Sequence, residues 1–241
     1  MNKVFSILIL LLVVLFSKLS LSQRFLGAVS AGMNLSQVDG DEKYGFKKVG
    51  LNIGPSVIMP FGKNKNWSVT MEILFSQLGS YQRSQYANDT IVDTVTNDYP
   101  DGYKLVLNYV QVPVIVHFTD KHIVAAGVGF LYGQLVGAKE WKDFNDVRGM
   151  FRTETDLQGP YNLSDFQILA DVRLRLWQRL WLDVRYSYSI VPIRTNVEFK
   201  NPVTNTIETR NQYNNVICMR LTYIFNEPLE KAAKKKSGSS H

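Results

Sequence analysis

The chain has 241 residues, 45% of them hydrophobic, with a formal net charge of +6 and a single cysteine. No apolar run after the N-terminus is long enough for a helical membrane protein, and one cysteine excludes an intrachain disulfide framework. Much of the positive excess sits in Lys231, Lys234, Lys235 and Lys236, so the charge is no argument for a nucleic-acid partner.

The first 22 residues read as a cleaved signal peptide. Lys3 supplies the positive start, Val4 to Phe16 the apolar run, and Ser20-Leu21-Ser22 a small-x-small cleavage pattern. The apolar run is too short for an ordinary transmembrane helix. Removing Lys3 and Lys18 with this segment lowers the formal charge from +6 to +4. The predicted domains are therefore 1–22 signal, 23–225 barrel, and 226–241 a basic periplasmic tail without fixed structure.

From residue 24 onward the pattern is apolar-polar alternation, which turns successive side chains to opposite faces of a strand. Eight strands are expected, at 24–37, 46–61, 67–79, 103–118, 123–137, 165–177, 180–190 and 213–225. The first puts Val29, Ala31 and Met33 outward against Ser30, Gly32 and Asn34. The second puts Leu51 and Ile53 outward against Lys48, Gly50 and Asn52, and Pro55 predicts an irregularity in the ladder. The third opposes Met71 and Ile73 to Thr70 and Glu72. The fourth is apolar on both parities; Val110, Val112, Val114 and Val116 are assigned outward, Tyr109, Gln111 and His117 inward. The fifth turns Gly127, Gly129 and Gly133 inward. The sixth sets Val172 and Leu174 against Asp171, Arg173 and Arg175, and the seventh Val184 and Tyr186 against Asp183 and Arg185. The eighth sets Met219, Leu221 and Tyr223 against Cys218, Arg220 and Thr222.

Connections at 62–66, 119–122 and 178–179 are tight, whereas those at 81–102, 138–164 and 192–212 are long. Short periplasmic turns and long extracellular loops are the pattern of an outer-membrane barrel. Aromatic residues gather at strand ends, as at Phe61 and Trp67, Trp177 and Trp181, and Phe225, and fit an interfacial girdle. Lipid offers no partner to unpaired backbone groups, so a spanning sheet must close. The expected fold is all-β, an eight-stranded antiparallel up-and-down transmembrane barrel of the outer membrane. Its soluble competitor is a lipocalin-like barrel.

Three stretches, 50–54 (GLNIG), 72–79 (EILFSQLG) and 107–113 (LNYVQVP), resemble the PorT-like outer-membrane β-barrel family of Bacteroidetes-type bacteria, and Asp183-Val184-Arg185-Tyr186 fits the same pattern. The resemblance spans the mature barrel. It implies a non-enzymatic component of type IX-like protein secretion or envelope assembly and supplies no catalytic motif. The basic tail departs from members that end at the closing aromatic.

The inward parity gathers a lumen charge set: Lys48, Glu72, Asp171, Arg173, Arg175, Asp183, Arg185 and Arg220. A salt-bridged filling of a narrow barrel is the expected use, because eight strands leave an interior just wide enough for side chains. An anion path lined by Arg173, Arg175, Arg185 and Arg220 is the alternative. Asp171, Arg173, Asp183 and Arg185 are expected to pair across the sixth and seventh strands. Ser187, Ser189 and His117 show no catalytic spacing. His117, His122 and His241 have no metal-ligand spacing, and no cofactor is expected. Asp89, Asp93, Asp98 and Asp101 match no calcium loop and read as a solvated or partner-binding surface. The expected partners are outer-membrane lipid and secretion or envelope-assembly proteins, not nucleic acid. A surface adhesion or ligand-binding barrel acting through its loops is the alternative function.

Overall fold

The computed structural model describes residues 25–41, 43–62, 64–82, 102–120, 123–145, 150–154, 160–200 and 206–226. The signal segment, the acidic loop positions, His122 and the tail beyond 226 lie outside the described residues. The elements are β1 (Leu26–Asp39), β2 (Lys48–Phe61), β3 (Trp67–Glu72), β4 (Leu74–Leu78), β5 (Tyr81–Gln82), β6 (Gly102–Asp120), β7 (Val124–Asn145), β8 (Met150–Glu154), β9 (Ser164–Arg175), β10 (Leu180–Ser189), β11 (Arg194–Lys200) and β12 (Ile207–Ile224).

Every neighbouring pair is antiparallel, and the ladder returns on itself. β1 pairs with β2 on one side and with β12 on the other, β12 with β10, β10 with β9, β9 with β7, and β7 with β6. β6 pairs with β3 and β4, which pair in turn with β2. β3 and β4 are one stave, so eight staves form a closed ring. Closure leaves no stave at the edge of the sheet, as a hydrocarbon environment requires.

The break between β3 and β4 falls at Ile73 and has a local cause. The register to β2 is the same on both sides of the break, as is the register to β6. Carried through, it sets Ile73 opposite Pro55 and Glu72 opposite Pro113. Neither proline can donate to the ladder. The Ile73 amide still donates to the Pro55 carbonyl at 3.0 Å. Pro55 thus marks an irregularity, but one expressed in the neighbouring stave and shared with Pro113.

The long connections are less irregular than expected. β7 runs to Asn145 and pairs there with β8. The 192–212 connection contains β11, which pairs with the first part of β12. The tight turns share one rim, and these extended hairpins rise from the other. A hairpin propagates by adding cross-strand pairs, so composition alone hid these extensions.

The barrel is inside out relative to a soluble protein. Outward positions are large and apolar, with Val128 67% and Phe130 70% exposed. Inward positions include fully enclosed Glu72, Asp183, Asp171 and Arg220. A water-soluble barrel would not leave so continuous an apolar exterior. That distribution separates a transmembrane barrel from a lipocalin-like one, and the inward and outward assignments made above stand on all eight staves; Trp181, expected in the girdle, instead shares the parity of Asp183 and is buried in the lumen.

The lumen is layered. Near the tight-turn rim Ala28, Ile58, Ala125, Trp181 and Ile224 pack together. Near the long-loop rim Val38, Leu78, Leu105, Leu107, Tyr109 and Leu135 pack with Tyr161 and Ile193 from the loops. The Asn162 amide donates to the Ile193 carbonyl at 2.7 Å, which ties those two loops together over the mouth. The charged layer lies between these apolar ends. The aromatic cluster at the tight-turn rim is built from Phe61, Trp67 and Phe118, with Trp67 and Phe118 ring centroids 5.1 Å apart.

Candidate functional site

Glu72 is the hub of the charged layer. It sits on β3 with its side chain enclosed. Arg173 Nη2 donates to Glu72 Oε1 at 3.2 Å, and Arg185 donates through Nη1 and Nη2 at 3.0 and 3.2 Å. Arg220 donates through Nη1 and Nη2 at 2.9 and 2.8 Å. These arginines come from β9, β10 and β12, on the opposite wall of the ring. One carboxylate therefore crosses the lumen and ties that wall to β3.

Two aspartates complete the layer. The register places Asp183 directly opposite both Arg173 and Arg220, and Arg185 opposite Asp171. Arg173 Nε lies 3.3 Å from Asp171 and 3.4 Å from Asp183. Arg185 Nη2 lies 2.9 Å from Asp171, and Arg220 Nε donates to Asp183 at 3.2 Å. Thr222 Oγ1 also donates to Asp183, at 2.9 Å, and shares a contact with Ser30. Three carboxylates face three guanidiniums, so the layer is neutral as a unit. Isolated buried ions would cost several kcal/mol each; here each charge is met by opposite charge and by hydrogen bonds.

Two residues expected in this set lie elsewhere. Lys48 is buried but points to the Val49 carbonyl at 2.6 Å and to Gln77 Oε1 at 3.4 Å, near the long-loop rim. Arg175 is at the opposite end, its guanidinium 4.7 Å from the Trp181 ring centroid. Parity assigns a face, but height along the barrel decides which inward charges meet. The anion path fails on the same geometry: Arg173, Arg185 and Arg220 are committed to carboxylates, and Arg175 is not beside them.

His117 joins the layer through a contact the sequence did not suggest. Its Nε2 is 3.0 Å from Asp171 Oδ1, and its Nδ1 is 3.2 Å from Thr70 Oγ1. A Cβ on Gly127 would lie 2.5 Å from the His117 ring, so only glycine leaves room for the imidazole there. Thr70, His117 and Asp171 form a chain of the kind used to activate a nucleophile. All are at most 1% exposed. A reaction needs space for a substrate beside the nucleophile, and this chain is packed inside the barrel. Ser189 is likewise enclosed and donates to Asp165 Oδ1 at 2.7 Å. Asp165, Gln167, Ser189 and Asn214 form a second polar cluster above the arginine layer. Among the described residues no group of His, Cys, Asp and Glu is placed to hold a metal ion.

A closed ring with an apolar outside and a neutral, interlocked polar inside defines an outer-membrane β-barrel whose interior is filled by its own side chains. The profile of the outer membrane protein beta-barrel domain family matches residues 19–194, and the chain belongs to that family. No curated protein matches the chain. Among solved structures it is similar to Ail, the attachment invasion locus protein of Yersinia pestis, at 14% identity and a TM-score of 0.43, over 84% of this chain and 99% of that one. It is also similar to Neisserial surface protein A, at 11% identity and a TM-score of 0.44, over 83% of this chain and 97% of that one. A major outer membrane protein from Thermus thermophilus is similar at 10% identity and a TM-score of 0.42, over 85% of this chain and 100% of that one.

Proposed function

We propose that the chain is a non-enzymatic, lipid-embedded scaffold that displays its long-loop rim for surface adhesion or ligand binding. The observation that carries this reading is the filled lumen. The Glu72 layer and the apolar packing at both ends leave transport through the barrel without a path. The hairpins β7–β8 and β11–β12 offer contact surface beyond the belt, and loops displayed on a rigid scaffold are where recognition is commonly placed. Export would follow cleavage near residue 22, with the barrel at 23–225 and the basic segment 226–241 on the periplasmic side.

A second reading, an accessory role in type IX-like secretion or envelope assembly, draws support from the resemblance at residues 107–113. In the fold, however, Tyr109 and Gln111 of that stretch are buried in the lumen, so the motif serves packing. A deletion strain separates the two roles. Lost adhesion or surface binding with intact secretion supports the first. Lost secretion of cargo proteins with intact surface binding overturns it in favour of the second.

A further inference from the structure

Beyond Gln77 the third stave leaves its neighbour. The regular pairing of β2 with β4 is confined to Asn52 with Ser76 and Ile53 with Phe75. Past that point Asn34 Nδ2 on β1 donates to the Gln77 carbonyl at 3.2 Å, and Ser36 Oγ donates to the Gly79 carbonyl at 2.9 Å. Side chains of β1 thus reach past β2 to hold the β4 backbone. Gly50 permits this, since a Cβ there would fall 2.0 Å from the Gln77 carbonyl oxygen. The wall between β2 and β6 opens into a cleft of about 500 Å³, lined by Lys47, Lys48, Gln77, Lys104, Lys139 and Trp141 among others.

On β6 and β7 the cleft is lined from the outward parity, whereas Lys48 reaches it from the inward parity of β2. Lys104 and Asn108 share the parity of lipid-facing Val110 on β6. On β7 the register gains one residue between Leu135 and Gly137, so Lys139 and Trp141 turn outward while Ala138 and Glu140 turn in. Four lysines line it, and no carboxylate among the described lining residues does. Lys48 is 5% exposed, yet its ammonium has only two neutral acceptors among the described residues, the Val49 carbonyl and Gln77. Lys104 lies with its Nζ 5.3 Å from the Trp141 ring centroid. Cations and an indole at the upper edge of an apolar belt suit the level of lipid headgroups.

We propose that this cleft binds the phosphate groups of an outer-leaflet lipid headgroup. The ammoniums supply charge-assisted donors to phosphate oxygens, and the neighbouring apolar wall receives the acyl chains. The site borders the β7–β8 hairpin through Trp141, but its ligand is bound by the lysines and does not rest on what the rim recognises.

The test uses the folded full chain in mild detergent, titrated with diphosphorylated lipid A, its dephosphorylated form, and soluble pyrophosphate, with bound ligand counted by native mass spectrometry. The expected result is saturable one-to-one binding of the diphosphorylated lipid. The variant Lys104→Gln/Lys139→Gln should weaken it at least about tenfold, as loss of charge-assisted contacts implies. Equal binding of the dephosphorylated lipid would overturn the proposal, and this arm needs no variant. Pyrophosphate binding as tightly as the lipid would overturn the lipid source. Unchanged binding by the double variant would overturn the site.

Discussion

Replacing Glu72 by Gln keeps the shape of the hub and removes its charge. Three guanidiniums would then face two aspartates, leaving one buried positive charge uncompensated. Five arginine N–H contacts of 2.8–3.2 Å end on the Glu72 oxygens. The amide retains one acceptor oxygen and turns a donor toward cations. Breaking a buried pair from one side costs about 3–5 kcal/mol, a large share of an ordinary folding free energy of about 5–15 kcal/mol. The assay is urea unfolding of the barrel in lipid vesicles, followed by heat-modifiable gel migration and tryptophan fluorescence. Glu72→Gln should fall in that range, and removing Arg220 as well should recover part of the loss. A cost under about 1 kcal/mol, or a double variant whose loss equals the sum of the singles, would refute the hub assignment.

The other predictions concern the neighbours of this layer and the outer surface. Asp183→Ala should destabilise by leaving Arg220 and Arg173 short of a partner, and adding Arg173→Ala should cost less than the sum, measured in the same unfolding assay. Ala170→Arg puts a cation on the lipid face at the middle of β9 and should cost about 2–4 kcal/mol; a neutral effect would contradict its placement. Burial pushes the Asp41 carboxyl, in the connection after β1, up to about 6 from 3.8. The folded state therefore holds that proton more tightly, and the stability it contributes is full below about pH 4 and lost as pH rises through 6. The change is at most about 3 kcal/mol, at ~1.4 kcal/mol per pKa unit. Asp41→Asn should flatten that part of the stability-against-pH curve.

Alternation made most of the barrel legible. Val172 against Asp171 and Leu221 against Arg220 assign faces because strand periodicity leaves no other choice. Even β6, apolar on both parities, resolves through Gln111 and His117. Contacts across the lumen were not legible, because they depend on stave height and on which staves face each other. Glu72 looked like one inward charge among eight, and only closure of the ring sets it against three arginines. The same lack of height put Lys48 and Arg175 in the wrong company. The outward turn of Lys139 and Trp141 was hidden because one extra residue in β7 reverses the parity beyond Leu135.

The barrel interior is filled by its own side chains, and the function proposed here lies on its outer surface. Planar-bilayer recording of the purified, folded chain tests that filling most directly. A filled lumen predicts a baseline with no steady unitary current across the range of voltages at which the bilayer itself holds. A stable open channel of defined conductance would contradict the sealed interior and restore transport through the barrel as its function.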